Sequence, residues 1–174
     1  PLFSDTGYGG TRYVPVFFML HGGLIALGLP PVGAGVLLMQ ATVALMIVGI
    51  AWVLVQQGVG RLWAISIAGI TFCTTIYQSY LTDVNADYLA AGLSLVALAI
   101  FTQTPKDRLT LLRLWIVALL CVGAILTKFS TVYVPVALWF SLLFARDWKR
   151  WAGFSVLGLL SLGVSAMALH FWSD

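Results

Sequence analysis

Charged residues are scarce in this sequence, and their scarcity indicates which class of protein it encodes. Only 9% of the 174 residues are charged, 61% are hydrophobic, and the mean hydropathy is +1.01. An ordinary soluble domain does not combine so little charge with so much apolar surface. The composition therefore predicts an integral membrane protein, because a bilayer accommodates that surface.

Other absences exclude further classes. The net charge is only +3 and the basic residues form no stripe, so no nucleic-acid partner is expected. The two cysteines, Cys73 and Cys121, lie in apolar runs and offer no disulfide or metal framework. Without a nucleotide-binding loop, CxxC or HExxH motif, a nucleotide-driven pump is not expected. The chain starts at Pro1 without the features of a signal peptide, so we expect an internal part of a longer polytopic protein.

Apolar runs separated by short polar breaks predict an all-α transmembrane bundle over one domain, residues 1–174. Residues 1–33 are expected to form an outer loop and a short interfacial helix over 13–29. That stretch is too short, and too rich in glycine and proline, to be expected to cross the bilayer. Residues 34–174 are expected to form about six spanning helices. These are 36–55, 62–80, 88–101, the two halves of 114–144, and 151–169.

The run 114–144 is too long to be one spanning helix. As a single helix it would measure about 46 Å, against a hydrocarbon core of about 30 Å. Its polar stretch, 127–131, is the only place where it can break, and Pro135 then suits the first turns of the next helix. The sequence therefore predicts a helix break centred on Lys128.

The basic residues predict the orientation of the bundle. Lys128 and the acidic turn, with Asp83 and Asp87, are expected on one side, opposite the loops that hold most cations. Those cations are Arg61, Lys106, Arg108, Arg113, Arg146, Lys149 and Arg150. Because Lys and Arg are enriched in cytoplasmic loops, the acidic turn and Lys128 are expected to face outward.

Four residues are candidates for binding or chemistry: Arg12, Asp83, Asp87 and Lys128. A helix that starts near Thr82 would place the two aspartates one turn apart, and helix capping explains only one of them. Lys128 either snorkels to the headgroups or pairs with an acid, and we predict that it approaches Asp87, with Asp83 as the rival partner. Arg12 suits a phosphate clamp or a lipid headgroup contact.

Three segments together resemble the GT-C superfamily of polytopic glycosyltransferases, especially its protein mannosyltransferase and aminoarabinose transferase branch. Residues 8–18, YGGTRYVPVFF, resemble the end of the family's first outer loop, where a basic residue precedes a proline and an interfacial helix. Residues 80–90, YLTDVNADYLA, resemble an outer turn whose aspartate opens a helix, the position of Asp87. Thr127 and Lys128, followed by Pro135, resemble the family's Thr-Lys pair at an outer break.

The resemblance implies a transferase that moves a sugar from a polyprenyl-phosphate donor to a lipid, glycan or protein acceptor. The reaction would take place on the outer, periplasmic or lumenal face, with a bacterial inner membrane as the expected location. The family's catalytic carboxylate would lie upstream of Pro1. No cofactor is evident, and the resemblance leaves a divalent metal open for a longer protein. Arg12, Asp83, Asp87 and Lys128 would bind substrate, the cations stabilising the departing phosphate.

Two other functions fit the same residues. A secondary transporter would use Asp83, Asp87 and Lys128 as a charge relay, but transporter charges lie near the membrane midplane in paired halves, and here they lie at helix ends. A non-catalytic membrane scaffold would use these charges only to anchor helices. It predicts no outer cavity that joins Asp87 to Lys128.

Overall fold

The computed structural model describes residues 16–76, 86–103 and 110–173, and within these ranges the chain is helical, with short turns and no strand. This confirms the predicted all-α class. The α-helices are α1 (Val16–Ala26), α2 (Pro31–Gln56), α3 (Arg61–Ile76), α4 (Ala86–Gln103), α5 (Leu111–Ile125), α6 (Tyr133–Phe144) and α7 (Trp148–Ser173), with a 3₁₀ helix at Phe129–Val132.

Three of the described helices are long and apolar enough to cross a membrane. They are α2, α4 and residues Trp148–Ala168 of α7, with 26, 18 and 21 residues. The other apolar helices have 10 to 17 residues. The 11 residues of α1 cover about 16 Å, which is too short for a core of about 30 Å and agrees with the short helix expected there. Six spanning helices stay a prediction.

The predicted break in the long apolar run is confirmed. α5 ends at Ile125, Lys128 is extended at φ −151° and ψ 117°, and α6 begins at Tyr133. Pro135 is the third residue of α6, a position whose N–H has no partner within a helix. The apolar run therefore reverses direction over seven residues.

α2 and α4 pack in parallel through two glycines and a polar contact at their carboxyl ends. Gly92 lies against Leu45, and Gly49 lies against Leu95. At the ends, the Gln56 side-chain amide donates to the Ala99 carbonyl at 2.8 Å and accepts from the Thr102 hydroxyl at 2.6 Å. Small residues let helix backbones approach closely in membrane bundles.

Gly49 provides a test of this packing. A Cβ atom there would lie 2.8 Å from the Leu95 Cβ, so Gly49→Ala forces the two helices apart. We expect a lower midpoint of thermal unfolding for this variant, since overpacking typically lowers the free energy of unfolding by about 1–3 kcal/mol. Gly69→Ala on α3 is the matched control, because nothing lies within 4 Å of its Cβ position, and alanine favours a helix. Equal midpoints for the two variants would contradict close α2–α4 packing.

The second packing centre surrounds α5, which contacts α4 on one side and α7 on the other. Its buried hydrophobic cluster is Ala97, Leu114, Val117, Ala118, Cys121, Leu138, Leu142 and Phe154. Cys121 is a buried free thiol, as its apolar surroundings in sequence predicted. The side chain of Cys73 lies outside the described residues. The neighbouring helices follow the order α3–α2–α4–α5–α7.

The bundle has two chemically different ends. The start of α4 meets the end of α5, where Asp87 contacts Lys128, and we call this the Lys128 end. At the other end α2 and α4 finish together, and Leu111 lies against Gly153, so α5 and α7 start together. We call this the basic end, and its described cations are Arg61, Arg113, Arg146, Lys149 and Arg150. Lys106 and Arg108 lie outside the described residues.

Candidate functional site

An ion pair marks the Lys128 end. The Lys128 Nζ atom lies 2.5 Å from the Asp87 Oδ2 atom, and the two side chains are 25% and 37% exposed. The predicted approach of Lys128 to Asp87 is therefore confirmed, and both residues lie at the same end of the bundle. Their role in binding a substrate stays a prediction.

The backbone around Lys128 is held by its own hydrogen bonds. The Lys128 N–H donates to the Ala124 carbonyl at 2.8 Å, and the Thr131 hydroxyl and N–H both donate to the Lys128 carbonyl, at 2.8 and 3.1 Å. The Thr127 hydroxyl donates to the Gly123 carbonyl at 2.7 Å. Because both threonines are buried, these bonds exchange little with solvent. These hydrogen bonds therefore fix the backbone position of Lys128 at the break.

Asp87 is held by the opening turn of α4. It is the second residue of the helix, where a carboxylate is stabilised by the positive end of the helix dipole. Its neighbours Ala86 and Leu89 are buried against Phe17 of α1 and Leu38 of α2. The acid is thus anchored by apolar packing while its carboxylate remains partly exposed.

α1 joins the site at its first described residue. The Val16 N–H donates to the Leu126 carbonyl at 3.3 Å, two residues before Lys128. The start of α1 therefore lies at the Lys128 end. Arg12 and Asp83, the other two candidate residues, lie outside the described residues, so the structure leaves their predicted roles untested.

An apolar groove of about 420 Å³ lies between α5, α6 and α7. Ile125 and Val132, which flank the break, line it at the Lys128 end, and Trp139 and Ser155 line it deeper in the bundle. The Trp139 indole N–H donates to the Ser155 hydroxyl at 2.9 Å, and that hydroxyl donates to the Trp151 carbonyl at 2.8 Å. The deep part of the groove therefore contains polar groups that are already hydrogen-bonded. This groove was not predicted from the sequence.

Among the described residues, the ion pair of Lys128 and Asp87 dominates the electrostatics of the site. Lys128 is neutralised by Asp87 at contact distance, so an anionic ligand that binds the ammonium has to compete with the carboxylate. Within the described residues there is no group of three histidine, cysteine, aspartate or glutamate side chains that would hold a metal ion. The arrangement suits recognition of one negatively charged group beside a hydrocarbon chain.

No protein-family model, curated protein or solved structure matches this chain. The class of protein therefore has to be inferred from the chain's own structure. The chain is all-helical over its described residues, has three helices of membrane-crossing length, and carries an ion pair at a helix break. The resemblance to GT-C glycosyltransferases rests on the quoted residues alone and stays a prediction.

Proposed function

We propose that this chain forms part of a multi-pass membrane glycosyltransferase. It transfers a sugar from a polyprenyl-phosphate-linked donor to a lipid, glycan or protein acceptor on the outer face of a bacterial inner membrane. The observation that carries the proposal is the Asp87–Lys128 ion pair at a helix break, beside an apolar groove. Six spanning helices and the interfacial helix α1 are part of the same proposal.

The position of Lys128 suits a phosphate. When the sugar leaves, negative charge develops on the carrier phosphate, and a fixed cation next to it stabilises the transition state. A lysine ammonium is a compact charge with three donors, well matched to a headgroup that arrives from the bilayer. The pair is partly exposed, so a phosphate can reach the ammonium without unfolding the break.

The groove suits the carrier's hydrocarbon chain. Its lining residues Val136 and Leu159 are exposed on the outer surface of the helices, so the groove opens sideways toward lipid. At the Lys128 end the groove is lined by Ile125 and Val132, which lie on either side of Lys128 in the chain. A lipid whose tail enters the groove would therefore bring its phosphate to the break.

In the proposed reaction the oxygen of an acceptor hydroxyl forms a bond to the anomeric carbon of the donor sugar. The bond from that carbon to the phosphate oxygen breaks, and its electron pair stays on the phosphate. The hydroxyl proton passes to a carboxylate base, which the resemblance expects upstream of Pro1. Lys128 stabilises the leaving phosphate. Asp87 holds the Lys128 ammonium in place until the phosphate of the donor displaces the Asp87 carboxylate.

The assay that tests the function is sugar transfer from a polyprenyl-phosphate donor in membranes that contain the full-length protein. Transfer that depends on Lys128 supports the glycosyltransferase. Ion-coupled uptake without transfer would identify a secondary transporter. Neither activity, with correct insertion, would leave the charges as helix anchors only.

The orientation gives a separate prediction. With the basic end in the cytoplasm, the Lys128 end faces outward. On a cysteine-free background, we expect Ser130→Cys to react with a membrane-impermeant thiol reagent added from outside. Ala145→Cys, which is also exposed but lies at the basic end, should react only after the membrane is permeabilised. The reverse pattern would contradict the proposed orientation, and labelling of both from outside would contradict the crossing of α6.

A further inference from the structure

The start of α1 contacts both elements that carry the ion pair. Lys128 lies on the break that follows α5, and Asp87 lies in the first turn of α4. Val16, the first residue of α1, hydrogen-bonds to the residue that caps the end of α5. Phe17, the next residue, packs against the start of α4. Two consecutive residues of α1 therefore contact one side of the pair each.

The hydrogen bond on the Lys128 side joins two helix ends. The Val16 N–H belongs to the first turn of α1 and the Leu126 carbonyl follows the last turn of α5, where such groups lack partners within their own helices. At 3.3 Å the N–H donates to the carbonyl. The positive end of the α1 dipole also meets the negative end of the α5 dipole, which is a favourable arrangement. The bond therefore ties α1 to the break two residues before the lysine.

Phe17 is the apolar contact on the Asp87 side. It is the buried residue of α1, only 3% exposed, and it clusters with Leu38 of α2 and with Ala86 and Leu89 of α4. Ala86 and Leu89 lie on either side of Asp87 in the opening turn of α4. The Phe17 ring therefore fixes the start of α4 and, through it, the position of the Asp87 carboxylate.

The ion pair needs such support because it is partly exposed. A pair of this kind gains little unless both side chains are held in one geometry, since water screens the charges and ordering long side chains costs entropy. Lys128 and Asp87 are 25% and 37% exposed, and they lie on separate elements. A shift of α4 relative to the break would change the distance between Nζ and Oδ2 directly. A segment that contacts both elements limits that shift.

We propose that α1 positions the Asp87–Lys128 pair, with Phe17 fixing the start of α4 and Val16 fixing the break. Phe17 is a positioning residue, because it acts through the helix start that carries Asp87. The positioning is a property of the folded chain, and only its effect on sugar transfer rests on the proposed function.

For sugar transfer the proposal predicts a specific change in kinetics. The apolar groove lies between α5, α6 and α7, and its described lining includes no residue of α1. Phe17→Ala should therefore lower kcat more than it raises the KM for a long-chain donor. We expect a fall in kcat of about tenfold or more, since misplacing a catalytic contact by ~1 Å can cost about 10²-fold.

The decisive test measures the coupling between Asp87 and Lys128 in the full chain, by thermal unfolding in a neutral detergent. A double-mutant cycle with Asp87→Asn and Lys128→Met isolates the part of the midpoint shifts that belongs to their mutual contact. We expect a clear coupling in the wild-type chain and a loss of about half of it or more in the Phe17→Ala background. Phe17→Leu, which keeps a large apolar side chain, should retain more of the coupling than Phe17→Ala.

Phe154→Ala is the matched control. Phe154 is 5% exposed, close to the 3% of Phe17, but it lies on α7 in the cluster around α5. Its loss should also lower the unfolding midpoint, because it deletes a buried ring of the same size. The coupling between Asp87 and Lys128 should stay unchanged.

Val16→Pro tests the other contact without deleting a buried ring, and it carries the test if Phe17→Ala does not fold. Proline is tolerated at the first position of a helix, and it removes the N–H that binds the Leu126 carbonyl. This variant should also reduce the coupling between Asp87 and Lys128.

Three results would overturn the proposal. Absence of coupling in the wild-type chain would mean that there is no fixed pair to position. Undiminished coupling in Phe17→Ala, or in Val16→Pro if Phe17→Ala does not fold, would leave α1 with a packing role only. An equal loss in Phe154→Ala would indicate general loosening of the bundle. These measurements need no sugar transfer, so failure of the positioning and failure of the transferase proposal are distinguishable.

Discussion

Replacing Lys128 by alanine should lower sugar transfer about 10²–10³-fold, the usual cost of removing one preorganised contact to developing negative charge. The protein should still fold and insert, because the threonine hydrogen bonds that shape the break do not use the lysine side chain. The measurement is turnover of a polyprenyl-phosphate sugar in membranes with matched amounts of protein. Arg61→Ala, which removes a cation at the basic end, should retain wild-type turnover.

Lys128→Arg separates a phosphate contact from simple anchoring. An arginine keeps the charge, but its planar guanidinium needs different room from a compact ammonium. At a tight phosphate site we therefore expect Lys128→Arg to recover only part of the activity. Wild-type turnover in Lys128→Ala would show that the lysine anchors the helix break and has no part in transfer.

Filling the apolar groove should weaken the use of long-chain donors. Gly158 of α7 lines the groove, and nothing lies within 4 Å of its Cβ position, so Gly158→Leu places a side chain in the groove without a clash. We expect the KM for a long polyprenyl donor to rise about tenfold or more, since one methylene in an apolar pocket is worth about 1–3 kcal/mol. The KM for a donor whose lipid is too short to reach Gly158 should stay unchanged.

Gly163→Leu is the control for this experiment. Gly163 lies on the same helix, also has nothing within 4 Å of its Cβ position, and does not line the groove. It should leave the KM of both donors unchanged. An equal rise for long and short donors in Gly158→Leu, or the same rise in Gly163→Leu, would contradict the groove as a tail site.

The amino-acid sequence determined the helical class and the position of the break. The run 114–144 cannot cross a bilayer as one helix, and 127–131 is its only polar stretch, so Lys128 had to lie at a helix end. The alternation of basic loops then placed Asp87 and Lys128 at the same end. Their contact could be predicted because charges are few in this apolar chain, and Asp83 and Asp87 were the acids expected at the same end as Lys128.

Only the tertiary structure decided the parallel packing of α2 on α4 and the groove beside the break. The α2–α4 contact depends on Gly49 and Gly92 facing the partner helix at the right height, which hydrophobic periodicity does not specify in an almost wholly apolar helix. The groove is lined by side chains of α5, α6 and α7 together, so it exists only once these three helices have packed. Their packing comes from the fit of many side chains at once, and no single stretch of sequence encodes it.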